Sequence, residues 1–280
     1  MKLLSEIPPA LREIPQPPVK LYIEGALPDP DTHIYVSFVG SRRISSYGKE
    51  ACEKIIAGLA GYPFVIVSGL AIGADSVAHR AALRTKLPTI AVPGSGIDPK
   101  VIYPSQNREL AREIVQSGGA LLSEFEPTFR ATPWSFPQRN RIMAGLCRGV
   151  VIIEASEKSG TLITARLALD YNRDVFALPG SIFSENSIGP HRLLSQGAAP
   201  ITSADDLIRA YDLLPETQTT LPLKNLLPIE YTVLEILSVP MTRDFVLEEL
   251  ALPISEANGI LAMMEIKGLI RESMGELRRG

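Results

Sequence analysis

Three short segments of the sequence carry the residue types that hold phosphate groups. They are Gly40-Ser41-Arg42-Arg43, the stretch that begins Ser68-Gly69, and Ser159-Gly160-Thr161, and each follows an apolar run and precedes a helical one. Glycine lets a backbone approach a phosphate closely, Ser and Thr hydroxyls donate hydrogen bonds, and a helix N-terminus adds partial positive charge. A single loop of this kind can equally be an ordinary tight turn. Three of them at one edge of one sheet predict an anion-binding site.

A fourth segment, Phe136-Pro137-Gln138-Arg139-Asn140-Arg141, combines cations with an aromatic ring. Two arginines flank an asparagine where a helix is predicted to begin, immediately after Trp134. Arginine binds phosphates and a neighbouring ring stacks on a base, which is how proteins hold single-stranded nucleic acid. The alternative is that the rings anchor the core and the arginines form surface ion pairs. We favour that alternative for Trp134 and leave it open for Phe136.

Other chemistries lack their motifs in this sequence. No GxGxxG follows the first predicted strand and no GxxxxGK[ST] occurs, so neither a standard dinucleotide site nor a P-loop is supported. The two cysteines, Cys52 and Cys147, are far apart, and no HExxH, GxSxG or cluster of metal ligands is present. We therefore expect no catalytic residue, no metal site and no cofactor. His79 is expected to pack in the core, and Asp75 to cap a helix.

The elements that position these segments alternate along the chain. Amphipathic helical patterns follow the apolar runs that begin at Ile34, Phe64, Thr89, Ala120 and Val150, and a last apolar run begins at Asp174. Continuous apolar runs of this kind are typical of parallel strands that are buried on both faces. The pattern predicts an α/β fold, a parallel sheet with helices on both faces. Ligands of such sheets bind beyond the carboxyl ends of the strands, where the first three segments lie.

The sequence divides into four predicted regions. Residues 1–32 are proline-rich and aperiodic, and are expected to form an arm that wraps a neighbouring surface. Residues 33–213 hold the sheet, and residues 214–228 form a polar linker interrupted by prolines. Residues 229–280 contain three short amphipathic segments and a strand pair, which predict a small C-terminal winged-helix domain.

The charge balance limits the kind of nucleic-acid binding that is possible. The 280 residues include 28 Lys and Arg against 31 Asp and Glu, a net charge of −3, which argues against a generally basic DNA-coating protein. The acidic excess lies after residue 221, so the rest of the chain is neutral and leaves room for a small arginine-lined slot. There are 19 arginines and 9 lysines, a bias that fits bidentate recognition of anions. Without a long apolar run or a signal-peptide pattern, we expect a cytoplasmic protein that does not contact membranes.

The combined motifs resemble those of the DNA-processing protein A family, also called Smf, of bacterial transformation and recombination factors. The resemblance covers about residues 20 to 210. It departs from the family pattern at Ala74, where isoleucine is usual, and at His191, where asparagine is usual. It rests on segments that run in family order: residues 39–42, 68–71, 73–75, 78–79, 103–104, 122–124, 136–141, 151–155, 159–165, 175–180 and 197–198.

This resemblance implies an extended Rossmann-like domain that binds and protects incoming single-stranded DNA. It also implies a homodimer that loads the recombinase RecA during natural transformation and recombination, without being an enzyme. Replacing Arg42 or Arg139 by Ala is expected to weaken DNA binding by about 1–3 kcal/mol, with little sequence preference. Carried over from the family, Gly40, Ser41, Arg42 and Arg43 hold a phosphate, Phe136, Arg139, Asn140 and Arg141 hold the next nucleotide, and Ser159, Gly160 and Thr161 close the pocket, with Ser68 and Gly69 beside them.

Two other functions use a related fold. Phosphoribohydrolases that release cytokinin bases carry a PGGxGTxxE motif whose glutamate acts on the ribose. Thr164 stands in the place of that glutamate, and the proline and one glycine of the motif are also missing, which speaks against a nucleotide-processing enzyme. A sensor of a signalling nucleotide stays open, because the same loops could hold a dinucleotide.

The predicted recognition helix of the C-terminal domain is acidic. Residues 256–266 include Glu256 and Glu265, and no basic residue precedes Lys267. A helix that reads a DNA groove neutralises phosphates and is basic. We expect this domain to contact protein rather than to bind duplex DNA strongly.

Overall fold

The computed structural model describes residues 1–213, 226–237, 241–267, 269–273 and 275–279. The chain divides into two compact units, Met1–Leu214 and Pro215–Gly280. The described strands of the first unit form one sheet. In chain order they are β1 (Lys2–Leu3), β2 (Tyr22–Gly25), β3 (Ile34–Val39), β4 (Phe64–Ser68), β5 (Thr89–Ala91), β6 (Ala120–Ser123), β7 (Gly149–Ile152), β8 (Asp174–Ala177) and β9 (Ala199–Pro200).

The first unit has eight α-helices among its described residues, and five of them lie between the predicted apolar strands. A 3₁₀ turn, Ser105–Asn107, precedes one of them, and a second, Glu185–Ser187, lies between β8 and the next helix. The helices are α1 (Pro9–Arg12), α2 (Ser46–Gly58), α3 (Ala74–Arg84), α4 (Arg108–Gln116), α5 (Ser135–Leu146), α6 (Thr161–Asp170), α7 (Ile188–Ser195) and α8 (Ala204–Ala210).

The sheet has the strand order β1-β2-β6-β5-β4-β3-β7-β8-β9. From β6 to β9 every neighbouring pair is parallel, and only β1 and β2 run antiparallel to their neighbours. The central strand β3 lies between β4 and β7, so the chain leaves the middle of the sheet in one direction and later returns on the other side. The strand order therefore reverses at β3 and β7.

Helices cover both faces of the sheet, which confirms the extended Rossmann-like fold. On one face α1, α5, α6 and α7 bury apolar side chains such as Ile142 and Ala165 against the strands. On the other face α2, α3 and α8 do so with side chains such as Ile55 and Leu207. All six residues of β3 are buried, because layers of helix enclose the strand from both sides.

Residues 1–32 belong to the first unit and are not a separate arm. Strand β2 pairs with β6 in an antiparallel register, with Ile23 opposite Leu122. Leu11 of α1 and Leu21 are fully buried in the core. The proline-rich segment therefore supplies the antiparallel edge of the sheet, a position in which proline is tolerated. Its composition alone does not reveal this pairing.

The second unit is a winged-helix arrangement of three helices and a three-stranded antiparallel sheet among its described residues. Its own core includes Val233, Val246, Leu261 and Leu277. Of the predicted linker, residues 214–225 lie outside the described residues, and α9 begins at Pro228. The elements are α9 (Pro228–Ile236), β10 (Met241–Thr242), α10 (Arg243–Leu250), α11 (Ile254–Ile266), β11 (Ile270–Ser273) and β12 (Glu276–Arg279).

Across the described ranges of both units, the helices are too short or too polar to cross a membrane.

Candidate functional site

A cleft of about 910 Å³ lies at the carboxyl ends of β3 and β7. Ligand sites of open α/β sheets form where the strand order reverses, because the connections leave to opposite sides and open a crevice there. The volume is at the upper end of the range of about 300–1,000 Å³ typical of small-molecule sites. The predicted residues that line it are Gly40, Ser41, Arg42, Arg43, Phe136, Arg139, Asn140, Ser159, Gly160 and Thr161.

Arg42 and Arg43 form the exposed cationic side of this cleft. The guanidinium carbon of Arg42 lies 5.3 Å from the centre of the Phe136 ring, a cation–π contact. The backbone N–H of Arg43 donates to Oγ of Ser41 at 3.0 Å, which holds the turn after β3. Within the described part of the chain, neither arginine forms an ion pair. Both are therefore available to an anionic ligand.

The buried carboxylate of Glu154 ties the arginine loop to two other segments of the cleft. It accepts hydrogen bonds from the backbone and side chain of Ser45, the N-cap of α2, and from Nδ2 of Asn186 at 3.1 Å. The same Asn186 amide donates to the carbonyl of Arg43 at 3.1 Å. Glu154 is 3% exposed, so it binds neighbouring loops rather than facing a ligand.

One face of helix α5 lines the cleft, and another face packs against the protein interior. Phe136, Asn140 and Met143, spaced at helical intervals, line the cleft. Arg139 also reaches the cleft wall but is only 6% exposed. Its Nη1 donates to the backbone carbonyls of Gly69 and Val92, so most of its hydrogen-bonding capacity is used by the protein.

Asp75 and Arg139 are buried residues of opposite charge that influence each other behind the cleft wall without a direct ion pair. Oδ2 of Asp75 accepts from the backbone N–H groups of Gly69 at 3.1 Å and Ala71 at 3.2 Å. Burial raises the pKa of Asp75, and the charge of Arg139 opposes that shift. Burial likewise lowers the pKa of Arg139, to about 10. Asp75 thus caps the loop that leads into α3 rather than only the helix itself. A Cβ built on Gly69 would overlap the guanidinium of Arg139.

The start of α6 supplies hydroxyl groups and an open stretch of backbone. Oγ of Ser159 accepts from the backbone N–H of Thr161 at 3.2 Å and lies 3.0 Å from Oγ1 of the same threonine. Gly160 is exposed, and a Cβ built on it would have no neighbour within 4 Å. A ligand can therefore approach the N-terminal end of this helix closely, where partial positive charge is available.

Three of the predicted site residues lie away from the main cleft. Ser68 is fully buried and donates to the carbonyl of Phe38 at 2.6 Å. Gly69 lines a smaller pocket of about 120 Å³ that shares Arg42 and Phe136 with the cleft. Arg141 points elsewhere from α5, where it pairs with Glu124 and donates to the carbonyl of Gln16 at 2.9 Å.

The two aromatic residues of the α5 segment differ in their surroundings. Phe136 lines the cleft and packs against Tyr103 with ring centres 5.7 Å apart. Trp134 packs edge-on against Phe125 and Phe129 but remains 55% exposed. The prediction that Trp134 anchors the core is therefore wrong, because its ring packs in an aromatic cluster at the surface.

A segment after β8 that was not predicted also lines the cleft: Ser184, Glu185 and Asn186. Its signal was Pro179-Gly180, which ends another parallel strand at the same edge of the sheet. These residues follow that turn by only a few positions, so the rule that selected the other loops would also have selected them.

The described residues around the cleft suit anion binding better than acid–base chemistry. His79 is fully buried and its Nδ1 lies 2.8 Å from Oγ1 of Thr89. Burial lowers the pKa of His79 to about 3, as expected for a packed core histidine. In the described ranges, no group of three or more His, Cys, Asp and Glu residues could hold a metal ion.

Residues 3–212 match the family model of DNA recombination-mediator protein A. The chain is 45% identical over 202 residues to the DNA processing protein DprA of Streptococcus pneumoniae, which covers 72% of this chain and 70% of that protein. It is 42% identical over 205 residues to protein Smf of Escherichia coli, covering 72% of this chain and only 53% of that protein. The structure of DNA processing protein A from Helicobacter pylori, solved to explain its single-stranded DNA binding mode, is 35% identical. It matches with a TM-score of 0.69, over 76% of this chain and 95% of that one.

Proposed function

We propose that this chain, which belongs to the DNA recombination-mediator protein A family, binds single-stranded DNA in the cleft at the carboxyl ends of β3 and β7. The observation that carries the proposal is the pair Arg42 and Arg43, exposed beside the Phe136 ring without a carboxylate partner among the described residues. Free cations next to an aromatic ring that lines the cleft suit a ligand that alternates phosphates with bases. The DNA-binding relative from Helicobacter pylori supports the same assignment.

Different residues of the cleft contact the phosphates and the bases of the DNA. Arg42 and Arg43 hold phosphates, and Gly40 and Ser41 shape the turn that presents them. Phe136 stacks on a base. Asn140, whose Oδ1 accepts from Nε of Arg139 at 3.2 Å and whose Nδ2 lies 3.5 Å from the carbonyl of Gly160, holds the loop before α6 beside that nucleotide. At the opposite loop Ser159, Gly160 and Thr161 offer hydroxyls and backbone to the chain.

Two further arginines of the predicted site support this arrangement from within the protein. The Arg139 guanidinium links the loop after β4 to β5 through the carbonyls of Gly69 and Val92, and so acts as a positioning residue. Arg141 fixes α5 against Glu124 and the N-terminal segment. Ser68 stabilises the end of β4 in the same way.

The proposed role is binding without catalysis. Asp75 already accepts two backbone hydrogen bonds, and Thr164, which replaces the glutamate of the phosphoribohydrolases, is buried. Asp75 is therefore engaged by the protein, and the residue at the position of the hydrolase glutamate carries no carboxylate. A signalling nucleotide is the second candidate ligand, and competition against DNA distinguishes it.

Family membership supports three broader proposals. We infer that the protein protects incoming single-stranded DNA in the cytoplasm during natural transformation. We also infer that it loads RecA onto that DNA and acts as a homodimer. RecA-dependent strand exchange on protein-coated DNA tests the loading of RecA separately from DNA binding. The mass of the protein in solution tests the homodimer.

Fluorescence anisotropy with a labelled oligonucleotide tests the central proposal. The full chain is titrated against single-stranded DNA and against a duplex of the same length, at about 50 and 200 mM salt. We expect tighter binding to the single strand, weakening as salt rises because phosphate contacts release counterions. Equal affinity for the two forms would contradict the proposal.

A further inference from the structure

The loop between β8 and α7 carries an aromatic ring that the fold does not use. Phe183 is 93% exposed and its neighbour Ile182 is 80% exposed. Among the described residues Phe183 is the most exposed aromatic side chain. Large apolar side chains are normally buried, so an exposed ring beside a ligand cleft points to a role in binding.

This loop is a built element that is fastened to the cleft. Within it, the backbone N–H groups of Phe183 and Ser184 donate to Oγ and to the carbonyl of Ser181, at 3.2 and 3.0 Å. At one end the hydroxyl of Tyr47 donates to the carbonyl of Pro179 at 2.6 Å. At the other end Asn186 is held by the backbone N–H of Ala155 at 2.8 Å, and its own amide donates to the carbonyl of Arg43. The position of Phe183 is therefore coupled to that of the arginine loop.

The chemistry of the loop suits a base rather than a phosphate. The three residues after Phe183 line the cleft, and one of them is the exposed Glu185. A carboxylate repels phosphate, whereas it accepts hydrogen bonds from the amino groups of nucleobases. Phosphates are thus directed towards Arg42 and Arg43, and bases towards the loop.

We propose that Phe183 is a second base-stacking residue, so that the cleft holds at least two successive nucleotides. One base stacks on Phe136, the phosphates between contact Arg42 and Arg43, and the next base stacks on Phe183. This inference rests on the proposed single-stranded DNA function of the cleft and adds the length and path of the ligand.

A comparison of normal and abasic oligonucleotides tests the proposal. An oligothymidylate and an abasic strand of equal length carry the same phosphates, so only the first can stack. We expect Phe183→Ala to weaken oligothymidylate binding by about 5- to 150-fold, the range measured for loss of one stacked base. The abasic strand should bind the variant as it binds the wild type, and Phe183→Tyr should bind oligothymidylate normally.

Ile182→Ala is the matched control, because it removes an equally exposed apolar side chain from the same loop. It should change affinity by no more than about twofold. Unchanged oligothymidylate binding by Phe183→Ala, or an equal loss on both strands, overturns the stacking role and leaves the proposed function standing. Failure of the wild type itself to prefer single-stranded DNA overturns both.

Tryptophan fluorescence gives a direct readout of the contact. The chain has a single tryptophan, so Trp134→Phe combined with Phe183→Trp places the only indole in this loop. Stacking predicts saturable quenching by oligothymidylate, with the same midpoint as the anisotropy titration, and little quenching by the abasic strand. Unaltered fluorescence at saturating oligothymidylate contradicts stacking at this position.

Discussion

Whether an arginine contacts a ligand depends on the groups that its guanidinium already touches. Arg42 lies over an aromatic ring and Arg43 is exposed, and neither forms an ion pair within the described residues. Arg139, by contrast, is buried against Asp75 and two backbone carbonyls, and Arg141 pairs with Glu124. The first two arginines are suited to bind DNA, and the last two to hold the cleft in shape.

Replacing the two kinds of arginine should therefore change the free energy of unfolding by different amounts. Arg139→Ala removes the donor to the buried carbonyls of Gly69 and Val92 and the cation nearest to Asp75, and should lower the free energy of unfolding by about 2–3 kcal/mol. Arg42→Ala changes an exposed side chain and should alter that free energy by about 0.5 kcal/mol or less. Urea unfolding of the two variants measures both values. If Arg139→Ala unfolds at the same urea concentration as the wild type, the buried arginine has no structural role.

At the residue scale, the sequence predicts which loops form the site but not which side chains remain free. Loops after parallel strands share one edge of the sheet, so Gly40–Arg43 and Ser159–Thr161 could be placed together from the strand pattern alone. Arg139 and Arg141 differ by two positions on one helix and so point in different directions. Their partners, Asp75 and Glu124, are distant in sequence, and only the tertiary fold brings them close.

At the element scale, the local pattern of apolar and polar residues was sufficient to predict most of the helices and parallel strands. The runs that predicted β3 and β4 are continuous and apolar because helices cover both sides of them. Strand β2 lacked such a signal, since it is short and prolines lie on both sides of it. Its partner β6 lies about a hundred residues further along the chain, a pairing that no local pattern encodes.

Helix α3 makes the stability of the fold dependent on pH. The pKa of His79 is lowered to about 3 by burial, below the ordinary value of 6.5. Below pH 6.5 the unfolded chain binds a proton that the folded chain does not, so stability is complete above that pH and falls as pH decreases towards 3. Between pH 6.5 and pH 5 the loss from this one group amounts to about 2 kcal/mol.

Urea unfolding at pH 7 and pH 5 checks this prediction. For the wild type and for His79→Asn, the free energy of unfolding at pH 5 is subtracted from that at pH 7. This difference does not depend on a change in stability that the substitution causes equally at both pH values. The asparagine variant should lose about 2 kcal/mol less on acidification than the wild type. Identical losses would mean that His79 is not buried in its neutral form.

At the scale of the whole molecule, charge is divided between the two units. The acidic excess lies in the second unit, where the described ion pairs engage Arg243, Lys267 and Arg278. Arg243 pairs with both Glu265 and Glu272, and Lys267 pairs with Glu230. A net charge of −3 thus excludes a generally basic surface and is compatible with one arginine-lined cleft in the first unit.

The acidic winged-helix unit should not bind duplex DNA strongly. It has a core of its own, so residues 222–280 can be produced as a separate fragment. Anisotropy with a labelled duplex at physiological salt should show no saturable binding, because a groove-binding helix must neutralise phosphates. Saturable binding by a fragment that circular dichroism shows to be folded would overturn this assignment.

The salt dependence of single-stranded DNA binding tests the central claim most directly. Each phosphate contact contributes about 0.7 to the slope of log affinity against log salt concentration. Replacing both Arg42 and Arg43 by Ala should reduce the slope by about 1.4 and weaken binding. Arg80→Ala combined with Arg112→Ala removes the same charge from exposed surface pairs and should leave the slope nearly unchanged. An unchanged slope in the Arg42 and Arg43 variant would show that the DNA phosphates bind elsewhere.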